Sequence, residues 1–162
     1  MREILFRAKT KDTKCWIEGY YAIESNHACF ANELKHTHFI FKDEFMDWGI
    51  GGLVQYEVIP ETVGQYTGLT DKNGKKIFEG DIAKLYSNDY IPTEYIGEVM
   101  IKDGLAGIEY TPDCLRGKGF DPYFHHFGYV GEWRDMGASG KVTYSYEIIG
   151  NIHDNPELLK GE

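Results

Sequence analysis

The sequence predicts a mostly antiparallel β protein: a small SH3-like or partly open barrel, with an additional N-terminal β unit and a short C-terminal helix. Three observations lead there. Short segments alternate apolar and polar residues with the period of a strand, as Val142, Tyr144, Tyr146 and Ile148 do against Thr143, Ser145 and Glu147. Two pairs, Asn73-Gly74 and Asp103-Gly104, stand between such segments. A two-residue type I′ turn needs positive φ at both centres, which Gly adopts freely and Asn or Asp tolerates. No stretch sustains the 3.6-residue period of a helix.

Taken in order, Glu3 to Ala8 puts Ile4, Phe6 and Ala8 on one strand face. A polar turn, Thr10 to Lys14, leads into a second strand at Trp16 to Tyr21, so the two read as an antiparallel hairpin. Ser25 to Asn32 has no clear pattern. His36 to Phe41 alternates as a short strand, and Lys42 to Trp48 reads as a helical turn or two, broken by Gly49, Gly51 and Gly52. Leu53 to Ile59 returns to strand before Pro60. The densest turn chemistry lies in Glu61 to Tyr86, where Gly64, Gly68, Gly74 and Gly80 recur. That stretch reads as a strand end, a hairpin at Asn73-Gly74, a second turn at Glu79-Gly80-Asp81 and a strand to Tyr86. In the second turn Asp81 is expected to cap nearby N–H groups, a structural role.

Ser87 to Glu94 is a polar loop, after which Tyr95 to Lys102 and Leu105 to Tyr110 flank Asp103-Gly104. Thr111 to Pro122 reads as a loop, Tyr123 to Trp133 as an aromatic strand and Asp135 to Gly140 as a turn before the strand ending at Ile148. Asn155-Pro156 supplies an N-cap and an N1 proline for a short terminal helix. The 162 residues make one domain, 1–162, with sub-units 1–60 and 61–162.

The net charge of −9 is unevenly placed: residues 1–60 hold nine acids against seven bases, and the remainder 17 acids against ten bases. Ser87 to Leu115 holds six acids against Lys102 alone, and the densest basic cluster, Lys72, Lys75 and Lys76, sits on one hairpin tip. Such a surface repels phosphate backbones and anionic lipid, so neither nucleic acid nor membrane is expected as a partner. Twelve Tyr contribute to an aromatic share of 15%, which suits pleated surfaces, and most of these rings are expected on covered faces. Exposed strand edges together with this aromatic excess make a homo-oligomer an expectation. Cys15, Cys29 and Cys114 are an odd number without a CxxC, the usage of a reducing compartment. The N-terminus has no apolar leader and no segment has the length of a membrane span, so a cytoplasmic location in a bacterial host cell is expected.

Chemistry-bearing constellations are sparse. His36 and His38 share a strand face and could ligate zinc, but no third and fourth ligands accompany them at defined spacing. His125 and His126 are neighbours and point to opposite faces of a strand. GxSxG is absent, and Gly74 leads into Lys75-Lys76-Ile77 and a strand, where a phosphate loop would need Lys-Ser/Thr and a helix. No catalytic, cofactor-binding or metal-ligating residue is assigned, no cofactor is expected, and enzymatic activity is not the expectation.

Three blocks carry a family resemblance. The string Val63 to Ile82, VGQYTGLTDKNGKKIFEGDI, resembles the signature block of the YopX family of bacteriophage and prophage proteins. Met1 to Arg7 leading to Trp16 resembles the family's opening strand, and Glu147 to Asn151 followed by Asn155 to Leu159 resembles its closing motif. The resemblance implies a small β-rich phage-encoded accessory protein with no assigned activity and no catalytic residues to carry over. The leading functional expectation is a non-catalytic module that binds a host or phage protein. The alternatives are an acidic nucleic-acid mimic that inhibits a host enzyme, and a small hydrolase or ligand binder with a non-contiguous site near His125 and His126. A contiguous acidic ridge would favour the mimic, a deep polar pocket the ligand binder, and an exposed aromatic patch the binding module.

Overall fold

Thirteen strands and two 3₁₀ turns form among the residues that the computed structural model describes: 3–27, 34–45, 51–87, 94–110, 122–128, 131–135 and 138–160. No helix among them is long and apolar enough to cross a membrane. The chain divides into two compact units, Met1–Tyr66 and Thr67–Glu162. The first therefore reaches beyond residue 60, because Gly64 and Gln65 still pair with the first strand.

In the first unit β1 (Phe6–Lys9), β2 (Trp16–His27), β3 (Leu34–Phe45), β4 (Gly51–Glu57) and the start of β5 (Gly64–Thr70) lie in the order β4-β3-β2-β1-β5. The expected hairpin of the first two strands is present, with Phe6 opposite Gly19 and Lys9 opposite Trp16. The expected helical turn after Phe41 is corrected. β3 runs on to Phe45, with Lys42 opposite Val54 and Glu44 opposite Gly52, so pairing with β4 overrides the weak local preference. Residues 46–48 lie outside the described residues, as do 28–32 of the unpatterned stretch, whose first residues extend β2 to His27.

Ala8, Ile40 and Val58 form the unit's buried core, with Phe6, Ile17, Tyr21 and Val63 packed against it. Gly19 lets β2 and β3 coil tightly, since a Cβ there would strike the Phe41 carbonyl and come 2.8 Å from the Ile40 side chain. Beyond β4 the chain meets the end of β1. Thr10 bridges Val58, the Lys11 N–H donates to the Glu57 carbonyl (2.9 Å), and the Ile59 N–H donates to the Lys9 carbonyl (2.9 Å).

In the second unit, β6 (Lys76–Phe78) lies beside β5, and Thr67 Oγ1 there donates to the Ile77 carbonyl (2.8 Å). An antiparallel sheet runs in the order β10-β9-β8-β7-β13, built from β7 (Asp81–Ser87), β8 (Glu94–Lys102), β9 (Leu105–Tyr110), β10 (Tyr123–His126) and β13 (Tyr144–Asn151). β11 (Gly131–Asp135) and β12 (Ala138–Val142) form a separate pair. The sheet is not closed, and its edge strands β10 and β13 approach through their rings. His125 stands 4.2 Å from Tyr144, and Phe127, just after β10, meets Tyr146 edge-on at 4.5 Å. Ile77, Ala83, Leu85, Val99, Ile108 and Ile148 fill the interior; burying each of the larger aliphatics contributes about 1.5–3 kcal/mol.

Four expectations need correction here. The Asn73-Gly74 hairpin exists, but Gly74 alone has positive φ (+82°), and the Gly74 N–H donates to the Asp71 carbonyl (3.0 Å). It is a type I turn followed by a left-handed glycine, selected because the Asp71 side chain holds the N–H groups of Asn73 and Lys75. By contrast Asp103 (φ +52°) and Gly104 (φ +79°) form the expected I′ turn. Tyr123 to Trp133 is two strands, interrupted after His126, and residues 138–140 of the expected turn belong to β12. The terminal helix is a 3₁₀ turn, Pro156–Leu159, held by i→i+3 bonds and without an Asn155 side-chain cap; four residues are too few to nucleate an α-helix. Residues 88–93 and 111–121 of the expected loops, and Cys29 and Cys114, lie outside the described residues.

Candidate functional site

The three blocks of sequence resemblance come together pairwise, and what they build is a clasp. Phe6 and Arg7 of the first block pair with Gln65 and Gly64 of the middle block. In the second unit the Lys72 N–H donates to the Tyr146 carbonyl (2.9 Å), which docks the hairpin tip on β13. Asp71, 7% exposed, then accepts three backbone N–H bonds: from Asn73 (2.8 Å) and Lys75 (2.9 Å) at Oδ1, and from Ile148 (3.1 Å) at Oδ2. Ile148 sits where β13 shifts register by one residue before Gly150, so this carboxylate takes an N–H beside a bulge. Burial pushes the Asp71 carboxyl up, but the bonds from Ile148, Lys75 and Asn73 together hold it below the usual carboxylate range.

Asp81, 1% exposed, closes the next turn. Its Oδ2 accepts the Phe78 N–H (2.9 Å) and its Oδ1 the Asn151 side-chain amide (3.4 Å), while Asn151 Oδ1 accepts the His153 N–H (3.0 Å). Gly80 (φ +79°) donates to the Val99 carbonyl (2.9 Å) and accepts from Ile152 (3.0 Å). Outside this buried pair, Lys72 Nζ meets Glu147 Oε2 (2.8 Å), where the Tyr86 hydroxyl also donates (2.7 Å). The two buried acids of the signature block, Asp71 and Asp81, are thus occupied with backbone amides and the Asn151 side chain. They hold the fold, as the turn reading of Asp81 expects.

His36 and His38 share one face of β3, as expected, and each has a hydroxyl partner of its own. His36 Nδ1 meets Ser25 Oγ (2.9 Å) and His38 Nδ1 meets the Tyr21 hydroxyl, both on the β2–β3 hairpin. His125 lies among Tyr144 and Tyr146, where burial, and then the neighbouring His126, pushes its pKa down. Among the described residues no three His, Cys, Asp or Glu side chains converge as a metal site requires. A cleft of about 340 Å³ in the first unit is lined by Lys11, Asp12, Gln55, Tyr56 and Glu57. Lys11 pairs with Glu57 (2.5 Å), and Asp12 is held low by the Thr13 N–H and the Thr10 side chain.

The feature that sequence reading missed is the outward face of the β2-β3-β4 sheet. Residues directly opposite one another in an antiparallel ladder share a face. Tyr20 lies opposite Phe41 and Phe41 opposite Gln55; Ala22 lies opposite Phe39, Asp43 opposite Leu53, and Phe45 opposite Gly51. Ile40 and Tyr21 face the core on the other side. The outward face therefore gathers Tyr20 (54% exposed), Leu53 (59%) and Phe45 (89%) around the half-buried rings of Phe39 and Phe41, whose centroids are 6.4 Å apart. Asp43 stands among them, between Phe41 and Phe45 on the central strand, and the rim is mixed in charge, with Glu18 and Glu24 exposed along it and Arg7 and Lys9 gathered at Trp16. The tyrosines expected on covered faces thus include an exposed one here, and Tyr123 of the second unit is another (50%).

Comparison with known proteins agrees with the three blocks. A family profile described as YopX protein matches residues 5–160. No curated protein matches the chain. The match runs through the opening strand, the Asp71–Asp81 clasp and the Asn151 turn that locks it, so the chain belongs to the YopX protein family.

Proposed function

We propose that this chain is a non-catalytic protein-binding module, a phage accessory protein whose partner is a host or phage protein. The observation that carries the reading is the outward face of β2, β3 and β4, where five large apolar side chains share one side of a rigid sheet and three of them are more than half exposed. Exposed apolar surface gathered on one face, with polar groups at its edge, is the anatomy of a protein interface. The buried acids that could otherwise serve chemistry are engaged with backbone amides.

The test is capture from lysates of phage-infected bacteria with the purified chain and with a Tyr20→Ser/Phe45→Ser variant, after both are shown folded by circular dichroism. A central aromatic anchor contributes about 2 kcal/mol or more, so retention of the specific partner should fall by tenfold or more in the variant. A partner retained equally by both would place binding elsewhere on the chain and overturn the reading.

A further inference from the structure

We infer that the outer edge of β4 pairs antiparallel with β4 of a second copy about a two-fold axis at Leu53. The argument begins with the direction of the backbone groups. The Val58 N–H donates to the His38 carbonyl (2.9 Å), so Val58 points its backbone toward β3. Register with β3 is unbroken from Gly51 to Glu57, and N–H and C=O direction alternates along an antiparallel strand. Tyr56, Val54 and Gly52 therefore bond β3, and Glu57, Gln55, Leu53 and Gly51 point their N–H and C=O groups away from it. The Lys11 N–H bonding the Glu57 carbonyl on that outer side agrees with this alternation.

The same Lys11 contact sets the register of a second strand. With the Glu57 carbonyl engaged, the outward groups from Gly51 to Gln55 have no backbone partner among the described residues, where β4 is an edge strand of its sheet. A two-fold centred on Leu53 sets Leu53 against Leu53, and Gly51 against Gln55 on both sides, so every one of these groups is matched. A two-fold centred on Val54 would instead bring Gly51 against Glu57, where the Lys11 loop stands.

Charge permits the pairing. Gly51 to Gln55 carries no ionisable group and none of the usual edge guards, Lys, Pro or a bulge. The nearest acid on the face, Asp43, lies one strand inward, so the two copies of it would be separated by three strand spacings, roughly 14 Å and beyond the Debye length at physiological salt. The exposed Leu53 side chains would meet at the axis as a cross-strand apolar pair. A five-residue edge buries less than the roughly 1,000 Å² of a stable complex, so the dimer is a weak one that fills with concentration.

The test uses the purified full chain alone, so its outcome is independent of the partner capture proposed above. Sedimentation across a wide concentration range should show mass rising toward the dimer. Leu53→Pro should abolish that rise while leaving the fold intact, because the N–H it removes points away from β3. With the three native cysteines replaced by serine, Leu53→Cys should form an intermolecular disulfide at that concentration, since directly hydrogen-bonded residues place Cα atoms about 5.5 Å apart. Gly104→Cys, on an exposed turn of the second unit, should not. A wild-type mass that stays monomeric, association unaffected by Leu53→Pro, or equal cross-linking at positions 53 and 104 would each overturn the inference; the first is also the result if the edge serves a segment of another protein.

Discussion

Replacing Asp71 by Ala removes the acceptor of three backbone N–H groups at once, those of Asn73, Lys75 and Ile148. Hydrogen bonds to a charged group contribute about 1.5–3 kcal/mol each, but three on one carboxylate are not additive, and solvent reaches amides freed at the hairpin tip. A net loss of about 2–4 kcal/mol is therefore expected, a large share of a stability on the order of 5–15 kcal/mol. At about 2–4 °C per kcal/mol for a chain of this size, the midpoint of thermal unfolding should fall by roughly 5–15 °C. The variant Asp71→Asn isolates the charge. The folded-state pKa of Asp71 lies below its ordinary value, so the carboxylate stabilises the fold fully above the unfolded-state pKa of about 3.9, and this is lost as pH falls through the folded-state pKa. Thermal unfolding followed by circular dichroism from pH 7 downward should show wild type and Asp71→Asn far apart at pH 7 and converging below about pH 4. A midpoint for Asp71→Ala within 1 °C of wild type, or a gap to Asp71→Asn independent of pH, would refute the clasp.

Gly97→Ala should destabilise by about 3 kcal/mol or more, since its Cβ would strike the Glu109 carbonyl and lie 2.8 Å from the Tyr110 Cβ, whereas Gly104→Ala, in open space at φ +79°, should cost only about 1–2 kcal/mol; chemical denaturation of both gives the comparison. Tyr146→Phe should leave stability unchanged or raise it by up to about 1 kcal/mol, because the hydroxyl is buried without a hydrogen-bond partner among the described residues; a comparable loss in denaturation would mean that it is bonded. Glu98 is pushed up by burial and then by Glu109 and Glu79, so it favours folding less as pH rises from its unfolded-state pKa through its folded-state one. Glu98→Gln should remove that decline, which unfolding curves between pH 4 and 8 would reveal.

Local chemistry made much of the fold legible. Asp103-Gly104 is the turn its residues require, and the alternation from Tyr144 to Ile148 is a strand, although Val142, read as its first residue, ends β12. What escaped was set at long range. The Asn73-Gly74 turn type depends on a carboxylate two residues earlier whose third bond comes from Ile148, on another strand. The charged run Lys42 to Glu44 lacks a strand's apolar alternation, yet β4 pairs with it, and that pairing decides its conformation. The outward face was hidden for a related reason. Aromatics occupy both parities of the first hairpin, Tyr20 beside Tyr21 and Phe39 and Phe41 around Ile40, so only the register and the core tell which set is covered. No motif marks such a face, because apolar contact needs no fixed spacing of chemical groups.

The proposed function divides the labour, with the signature acids holding the fold and the aromatic face of the first unit offered to the partner. The most direct test captures the partner side by side with Tyr20→Ser/Phe45→Ser and with Asp71→Ala, at a temperature where circular dichroism shows both folded. The face variant should lose the partner by tenfold or more while Asp71→Ala retains it at the wild-type level. Loss with folded Asp71→Ala and full retention by the face variant would contradict the account, and would make the signature hairpin the binding site.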